Sequence, residues 1–214
     1  MIFLLRYGAN IVECEPTQEQ RELTAKNLIT SLGPDATYLS PYDNTDIVAG
    51  QGTMGLEILE EIPDLDALVV PVGGGGMLSG ICIAAKGINA NIKIFAAEPL
   101  NADDCARSFA AKTKILNESP PTTVADGLRV NVGDLTWPII RDNIEDVLVV
   151  TEEEIVSSMK LVFERMKVVI EASAAVGVAA VLSDKFKNEY PGINKVCVVL
   201  CGGNVDLDKL PWIK

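Results

Sequence analysis

The chain has 214 residues, of which 48% are hydrophobic and 22% are charged, a composition typical of a globular protein and not of a disordered chain or a small disulfide scaffold. Its formal net charge of −12 would repel phosphate backbones, which argues against a nucleic-acid-binding protein. The chain contains no histidine, so a Ser-His-Asp triad and a histidine-ligated zinc site are both excluded within it. Acid–base chemistry must therefore use other side chains or a cofactor.

The cysteine pattern and the hydropathy indicate a soluble protein of a reducing compartment. Several of the cysteines lie in apolar runs, where reduced buried thiols are common, and they form no C-x-x-C pair. We therefore expect a cytoplasmic protein without a secretory signal. The uncharged stretch 67–85 contains Pro71 and four consecutive glycines, so we expect no membrane-spanning helix there. The cysteines are Cys14, Cys82, Cys105, Cys197 and Cys201.

The first 43 residues contain few regular patterns. Residues 9–14 predict a short strand, residues 18–32 predict a polar helix with one apolar side, and residues 36–39 predict a second strand. These elements are too few to enclose a hydrophobic core of their own.

From Asn44 onward, apolar strands alternate with helices. This alternation predicts an α/β fold with a mainly parallel sheet that helices cover on both faces. Ligands of such folds bind beyond the carboxyl ends of the strands. The predicted strands are 65–72, 93–97, 146–150 and 195–200, and the predicted helices are 53–61, 77–86, 103–112, 139–144, 152–167 and 172–187.

Four glycines, Gly73, Gly74, Gly75 and Gly76, follow the first of these strands. Consecutive glycine N–H groups and the start of the next helix form an anion-binding nest that suits a phosphate. This loop fits neither the P-loop pattern nor G-x-G-x-x-G, because Leu78 and Ser79 stand where the last glycine would be needed. The alternative is a flexible turn, which would lose backbone entropy without any structural gain. We therefore favour phosphate binding.

An acidic turn follows the second strand. Glu98, Asp103 and Asp104 lie within seven residues and could bind a hard divalent cation with the help of a backbone carbonyl. The alternative is that the segment 101–104 only caps the helix that follows. The spacing alone favours the capping interpretation.

The last strand ends at Cys201-Gly202-Gly203-Asn204. A small polar side chain followed by two glycines allows a flat ring to approach the backbone closely, although a buried cysteine before a turn would have the same pattern. Asp126, in a tight turn, and Glu171, between an apolar run and small residues, are weaker candidates for carboxylates in the same cleft.

These motifs together resemble a known family. The segments LDALVVPVGGGGMLSG, AAEPLNADDC, ADGL and VLCGGN occur in the order found in the serine racemases and serine/threonine dehydratases, which are fold-type-II pyridoxal-phosphate enzymes. Supporting segments are YGANIVECEP, IVAGQGTMGLE, LTWPIIRD and ERMKVVIE, so the resemblance extends over residues 7–204. It implies a tryptophan-synthase-β-like fold, with residues 1–43 as a remnant of the small domain and residues 44–214 as the large cofactor-binding domain.

The resemblance also implies roles for single residues. Pyridoxal 5′-phosphate is the implied cofactor, and the residues that match its phosphate cradle are Gly73, Gly74, Gly75, Gly76 and Met77. Cys201 stands where the family usually has a serine facing the pyridine nitrogen. Asp126 and Glu171 match the substrate side of the pocket, and Tyr42 stands near a ring-side position that is usually asparagine or phenylalanine.

Two further ligand sets are implied. Glu98, the Ala102 carbonyl and Asp104 match the family's divalent-cation site, for magnesium, manganese or calcium, with Asp66 as an outer-shell residue. Tyr7, Lys167 and Asn204 match contacts of an allosteric nucleotide, ATP, at a site between subunits.

The sequence also departs from the family. The family's S-x-K-x-R-G segment, whose lysine binds the cofactor aldehyde, and its S-x-G-N-H-G segment do not occur in these 214 residues. The resemblance implies a homodimer that acts on L-serine and forms D-serine, or pyruvate and ammonia. We expect no racemisation from this chain in isolation. The alternatives are a pseudoenzyme that binds phosphate or a cation and associates with intact subunits, and a fragment that does not fold stably.

Overall fold

A computed structural model describes residues 5–213 of the chain. These residues form two compact units, of which the first ends at Leu39 and the second begins at Ser40. None of the helices in the described part of the chain is long and apolar enough to cross a bilayer.

The first unit contains one long helix, α1 (Gln18–Leu32), which begins where Thr17 accepts a hydrogen bond from the Gln20 N–H and ends at Gly33 with φ 91°. None of the residues of α1 is buried. The strands predicted at 9–14 and 36–39 are wrong, because both segments are irregular. A strand needs a partner to accept its backbone hydrogen bonds, and no described segment pairs with either of them.

The second unit alternates strands and helices. Its strands are β1 (Ala67–Pro71), β2 (Lys93–Pro99), β3 (Asp146–Val150) and β4 (Val196–Val198). Its α-helices are α2 (Thr45–Glu61), α3 (Gly76–Ile88), α4 (Asp104–Ala111), α5 (Thr136–Asn143), α6 (Glu152–Met166), α7 (Ala172–Leu182) and α8 (Asp184–Glu189). Short 3-10 turns lie at Leu100–Ala102, Asp126–Leu128 and Leu207–Lys209.

The four strands form one parallel sheet in the order β3-β2-β1-β4. Successive residues of β1 point to opposite faces: Val69 packs into a core with α6, α7 and α8, whereas Leu68 packs into a core with α2, α3 and α5. The predicted sheet with helices on both faces is therefore confirmed. Burial on both faces explains why β1 is a continuous apolar run rather than an alternating one.

Helix α5 begins at Thr136 rather than at residue 139, and two other helices differ more strongly from the predicted ones. Helix α2 begins at Thr45 rather than at residue 53, because the Asn44 side chain accepts the N–H groups of Asp46 and Ile47. The helix predicted over 172–187 is two helices, because Ser183 leaves the helical conformation with ψ 152° and caps α8 by accepting the N–H of Phe186. A serine favours such a cap over a position inside a helix.

Helices α2 and α3 cross at glycines. A Cβ atom added to Gly80 of α3 would lie 2.3 Å from the Val48 carbonyl oxygen and 2.5 Å from the Gly52 nitrogen. The backbones of the two helices therefore approach more closely than any side chain would allow. By contrast, Gly50 is exposed on α2 and has no atom within 4 Å of an added Cβ.

We expect Gly80→Ala to lower the free energy of unfolding by about 1–3 kcal/mol, because the methyl group must push the backbone of α2 away. Gly50→Ala should raise it by about 0.5–1 kcal/mol, because alanine loses less backbone entropy in a helix. Urea denaturation followed by circular dichroism measures both values. Equal effects of the two alanines would contradict this helix crossing.

Candidate functional site

The parallel sheet brings three loops to one edge. The carboxyl ends of β1, β2 and β4 point the same way, since Pro71 pairs with Ala97 and Val69 pairs with Val198. The tetraglycine loop follows β1, the acidic turn follows β2, and the loop from Cys201 to Asn204 follows β4. The three loops predicted as candidate sites therefore share the edge at which parallel α/β folds bind ligands.

The tetraglycine loop presents unclaimed backbone donors. Gly74, Gly75 and Gly76 are buried, and the hydrogen bonds among the described residues include none from their N–H groups. Buried N–H groups are rarely left without an acceptor. Helix α3 begins at Gly76 and Gly75 has φ 89°, so these donors lie at the positive end of a helix. The loop therefore has the chemistry of an anion cradle.

The far side of this loop is tightly bound to the protein. The Gly74 carbonyl accepts the Gly133 N–H at 3.1 Å and the Thr136 hydroxyl at 2.7 Å. A Cβ atom on Gly75 would lie 2.6 Å from Ile140 Cδ1. Because Gly75 also has a positive φ, only glycine suits this position without strain. Thr136 and Gly133 were not among the predicted site residues, since nothing in their local sequence relates them to residue 74.

The Tyr42 ring lies directly on the tetraglycine loop. A Cβ atom on Gly74 would be 2.1 Å from Tyr42 Cγ, and one on Gly76 would be 2.8 Å from Tyr42 Cα. The next residue, Asp43, keeps the segment in place by accepting the N–H groups of Asp134 and Leu135 at 3.2 and 2.8 Å. Tyr42 is therefore part of the wall of the cradle.

The remaining loops meet around Glu171. The Glu171 N–H donates to the Gly202 carbonyl and its carboxylate accepts the Asn204 N–H, both at 3.2 Å. A Cβ atom on Gly127 would lie 3.4 Å from Glu171 Oε1. Gly127 also donates to the hydroxyl of Ser173 at 3.0 Å, a residue that its run of small neighbours gave no reason to select.

Cys201 lies beside the same carboxylate. Burial, followed by the negative charge of Glu171, raises the pKa of the Cys201 thiol to about 11. The thiol is therefore neutral near pH 7, and it can donate or accept only weak hydrogen bonds.

Other predicted site residues are exposed: one was predicted on the substrate side of the pocket and three as nucleotide contacts. Asp126 begins the 3-10 turn that carries Gly127 and is exposed. Lys167 ends helix α6 with φ 59° and is exposed, and the exposed Asn204 contacts Glu171 through its backbone. Tyr7 belongs to the first unit, where it is 86% exposed.

The acidic turn contains a carboxylate buried at the end of β2. Glu98 is 1% exposed and accepts the N–H groups of Cys105 and Ala106 at 3.1 and 2.9 Å. Burial, followed by the charge of Asp104, raises its pKa well above the usual value. Glu98 therefore caps helix α4 from a neighbouring strand, whereas the Asp103 side chain at the N-cap makes no capping bond.

Asp104 is the second carboxylate of this cluster. Its oxygens accept the Val132 N–H and the Asn117 side-chain amide, each at 2.9 Å, and burial raises its pKa to about 6. The nearby Ala102 is buried. Among the described residues, no backbone N–H group donates to its carbonyl, since the Cys105 and Ala106 N–H groups both donate to Glu98. Two carboxylates and one carbonyl are oxygen ligands that suit a hard cation.

Such a cation would offset the cost of burying two acids near each other. Within residues 5–213, no group of three or more His, Cys, Asp or Glu side chains has metal-binding geometry. The candidate site at the acidic turn has only two such side chains, Glu98 and Asp104, and its third oxygen is a backbone carbonyl.

The outer-shell role expected for Asp66 is wrong. Asp66 precedes β1 and accepts the N–H groups of Asn194 and Lys195 at 2.8 Å each. It therefore lies at the amino-terminal end of the sheet, whereas Glu98 lies at the carboxyl end of β2. About six residues of strand separate the two levels, a distance of roughly 20 Å.

Comparison with known proteins agrees with the parallel sheet and its strand-end loops. Residues 3–202 match the family of pyridoxal-phosphate-dependent enzymes. The chain belongs to this family. The implied fold-type-II architecture is confirmed, and pyridoxal phosphate is the cofactor that the family implies.

Three relatives illustrate the similarity. The human serine racemase (Homo sapiens) is 49% identical over 209 residues, which cover 97% of this chain and 61% of that protein. The solved structure of maize serine racemase has a TM-score of 0.91 and 43% identity, over 96% of this chain and 62% of that one. The solved structure of a threonine deaminase from T.th. has a TM-score of 0.85 and 36% identity, over 94% and 65%. The chain thus spans less than two thirds of the length of each relative.

We expect Gly74→Ala to lower the free energy of unfolding by about 1–3 kcal/mol, because the methyl group overlaps the Tyr42 ring. In the double variant Gly74→Ala/Tyr42→Ala, the ring is absent and the overlap disappears. A double-mutant cycle in urea should therefore give a coupling of at least about 0.5 kcal/mol in favour of the double variant. Additive effects would show that the ring does not lie on Gly74.

Proposed function

We propose that this chain forms the phosphate-binding part of a pyridoxal-phosphate enzyme that acts on L-serine. The products would be D-serine by racemisation, or pyruvate and ammonia by β-elimination. The observation that carries the proposal is the set of buried N–H donors at Gly74, Gly75 and Gly76, at the start of helix α3. The similarity to serine racemases and a threonine deaminase supports the same reaction class.

The proposed domain arrangement follows the family. Residues 1–43 would belong to the small domain and residues 44–214 to the large cofactor-binding domain. The compact units divide four residues earlier, between Leu39 and Ser40, which places Tyr42 with the tetraglycine loop.

The residues present fit the cofactor phosphate. Gly73 to Gly76 and the Met77 N–H would surround it, and a side chain on Gly74 or Gly75 would displace the loop by overlapping Tyr42 or Ile140. Bound pyridoxal phosphate supplies an electron sink that makes the substrate α-proton acidic. Cys201 would contact the ring end as a neutral thiol, while Glu171 and Asp126 would line the substrate side.

A divalent cation is proposed at Glu98, Asp104 and the Ala102 carbonyl, with magnesium, manganese or calcium as candidates. The support is the burial of two carboxylates, both with a raised pKa, near a carbonyl that accepts no backbone hydrogen bond among the described residues. A cation there would connect the end of β2 to the start of α4.

Other features remain proposals from the resemblance. They are an ATP contact at Tyr7, Lys167 and Asn204, a homodimeric assembly, and a cytoplasmic location.

A second candidate function is binding without turnover, as in a pseudoenzyme that associates with intact subunits. These 214 residues contain neither S-x-K-x-R-G nor S-x-G-N-H-G, so turnover by the chain alone is the property that distinguishes the two functions.

Pyridoxamine 5′-phosphate tests the cradle, because it has the ring and the phosphate but no aldehyde and so needs no lysine. We expect the chain to bind it in isothermal titration calorimetry, and to bind unphosphorylated pyridoxamine at least tenfold more weakly. Gly75→Ala should weaken binding at least tenfold, because φ 89° and the contact with Ile140 both disfavour a side chain. Gly87→Ala, in the same helix with open space around it, is the matched control.

Serine turnover separates the two candidate functions. The chain preceded by the amino-terminal segment of a serine racemase should form D-serine or pyruvate, whereas the chain alone should form neither. Equal affinities for pyridoxamine and pyridoxamine 5′-phosphate would contradict the phosphate cradle. A fusion that binds the cofactor but turns over no serine would favour binding without turnover.

Magnesium should stabilise the chain against urea, by about 2.7 kcal/mol when its concentration is 100 times the dissociation constant. Glu98→Gln should remove this dependence, because it removes one of the two charges that face the cation. Glu153→Gln changes an exposed glutamate of α6 and should leave the dependence intact. A magnesium effect that survives in Glu98→Gln would place the cation elsewhere.

A further inference from the structure

We infer that Thr136 and the segment before it couple the acidic cluster to the tetraglycine cradle, with Thr136 as the positioning residue. This inference deepens the proposed function, because it takes the phosphate and the cation proposed there as the two ligands.

Thr136 is placed to orient the cradle. It is the first residue of α5 and is fully buried. Its hydroxyl donates to the Gly74 carbonyl at 2.7 Å and accepts the Gly133 N–H at 3.0 Å. Its own carbonyl accepts the Ser79 hydroxyl of helix α3 at 3.3 Å. The side chain thus connects α5 to the loop, while its backbone connects α5 to the helix that the loop begins.

The geometry of the peptide bond carries the effect to the phosphate side. The Gly74 carbonyl and the Gly75 N–H belong to one planar trans peptide, in which they point in opposite directions. Two hydrogen bonds fix the carbonyl, from Gly133 and from Thr136. They therefore fix the direction of the Gly75 N–H, one of the donors without an acceptor among the described residues.

The same segment begins at the acidic cluster. The Val132 N–H donates to Asp104 Oδ2 at 2.9 Å, and the next N–H along the chain, that of Gly133, donates to the Gly74 carbonyl at 3.1 Å. Asn131 accepts the N–H of Asn117, whose side chain donates to the other oxygen of Asp104. A cation bound to Asp104 would therefore change the hydrogen bonds of the peptide groups that position the cradle.

Coupling of this kind is reciprocal, so the cation should tighten phosphate binding by the same factor as the phosphate tightens cation binding. If Thr136 only began helix α5, replacing it would destabilise the fold. It would not change the ratio of the phosphate affinities with and without the cation.

The test is calorimetric titration of the chain with pyridoxamine 5′-phosphate, with and without saturating Mg²⁺. We expect Mg²⁺ to raise the affinity at least fivefold. Thr136→Val keeps the shape but removes one of the two hydrogen bonds to the Gly74 carbonyl. It should therefore reduce this factor while Mg²⁺ alone still binds with unchanged affinity. Thr136→Ser should retain the factor, and Thr53→Val, on the exposed surface of α2, is the matched control.

Amide NMR of the unmodified chain gives a readout that does not depend on a variant folding. Adding Mg²⁺ without phosphate should shift the amide resonances of Gly74, Gly75 and Gly133. The inference would be overturned if the two ligands bound independently, or if Mg²⁺ raised the affinity of a folded Thr136→Val variant as much as that of the unmodified chain. Either result would leave the proposed function standing. Failure of the unmodified chain to bind pyridoxamine 5′-phosphate at all would overturn both.

Discussion

The parallel pairing of β1 with β2 and with β4 is the constraint on which the candidate sites depend. Parallel strands end at the same edge, so the loops after Pro71, Pro99 and Val198 become neighbours although up to 127 residues separate them along the chain. Helices cover both faces of the sheet, so β1 is apolar and buried along its whole length. The polar groups of the candidate sites lie at the ends of the strands and in the loops that follow, with Glu98 near the end of β2.

The second unit uses its backbone as a ligand more than its side chains. The tetraglycine loop has no side chains that could bind a ligand. The direction of its Gly75 N–H depends on the hydrogen bonds that the Gly74 carbonyl accepts. The acidic cluster is the counterpart: Glu98 and Asp104 already accept backbone N–H groups, and the charge of Asp104 raises the pKa of the buried Glu98 carboxyl. A phosphate on one set and a cation on the other would satisfy both sites, and Val132 to Thr136 lie between them.

Local patterns predicted much of this arrangement. Apolar runs identified all four strands of the sheet, and the glycine run identified the loop whose buried N–H groups are without an acceptor among the described residues. Other features failed for physical reasons. The predicted strand at 9–14 has no partner among the described residues, and Ser183 interrupts a helix because its hydroxyl caps the next one. Tyr42, Thr136 and Ser173 contact site residues that lie 32 to 62 positions away along the chain, a separation that no local pattern reports.

The sequence by itself determined the fold class, the positions of the strand-end loops and the kind of group each could bind, because periodicity, glycine content and charge are local properties. Only the tertiary structure decided that Glu98 caps α4 in place of Asp103, that Asp66 lies at the opposite end of the sheet from Glu98, and that the Tyr42 ring covers Gly74. The physical reason is that burial and hydrogen-bond partners are set by sheet register and helix packing, which join residues far apart in the chain.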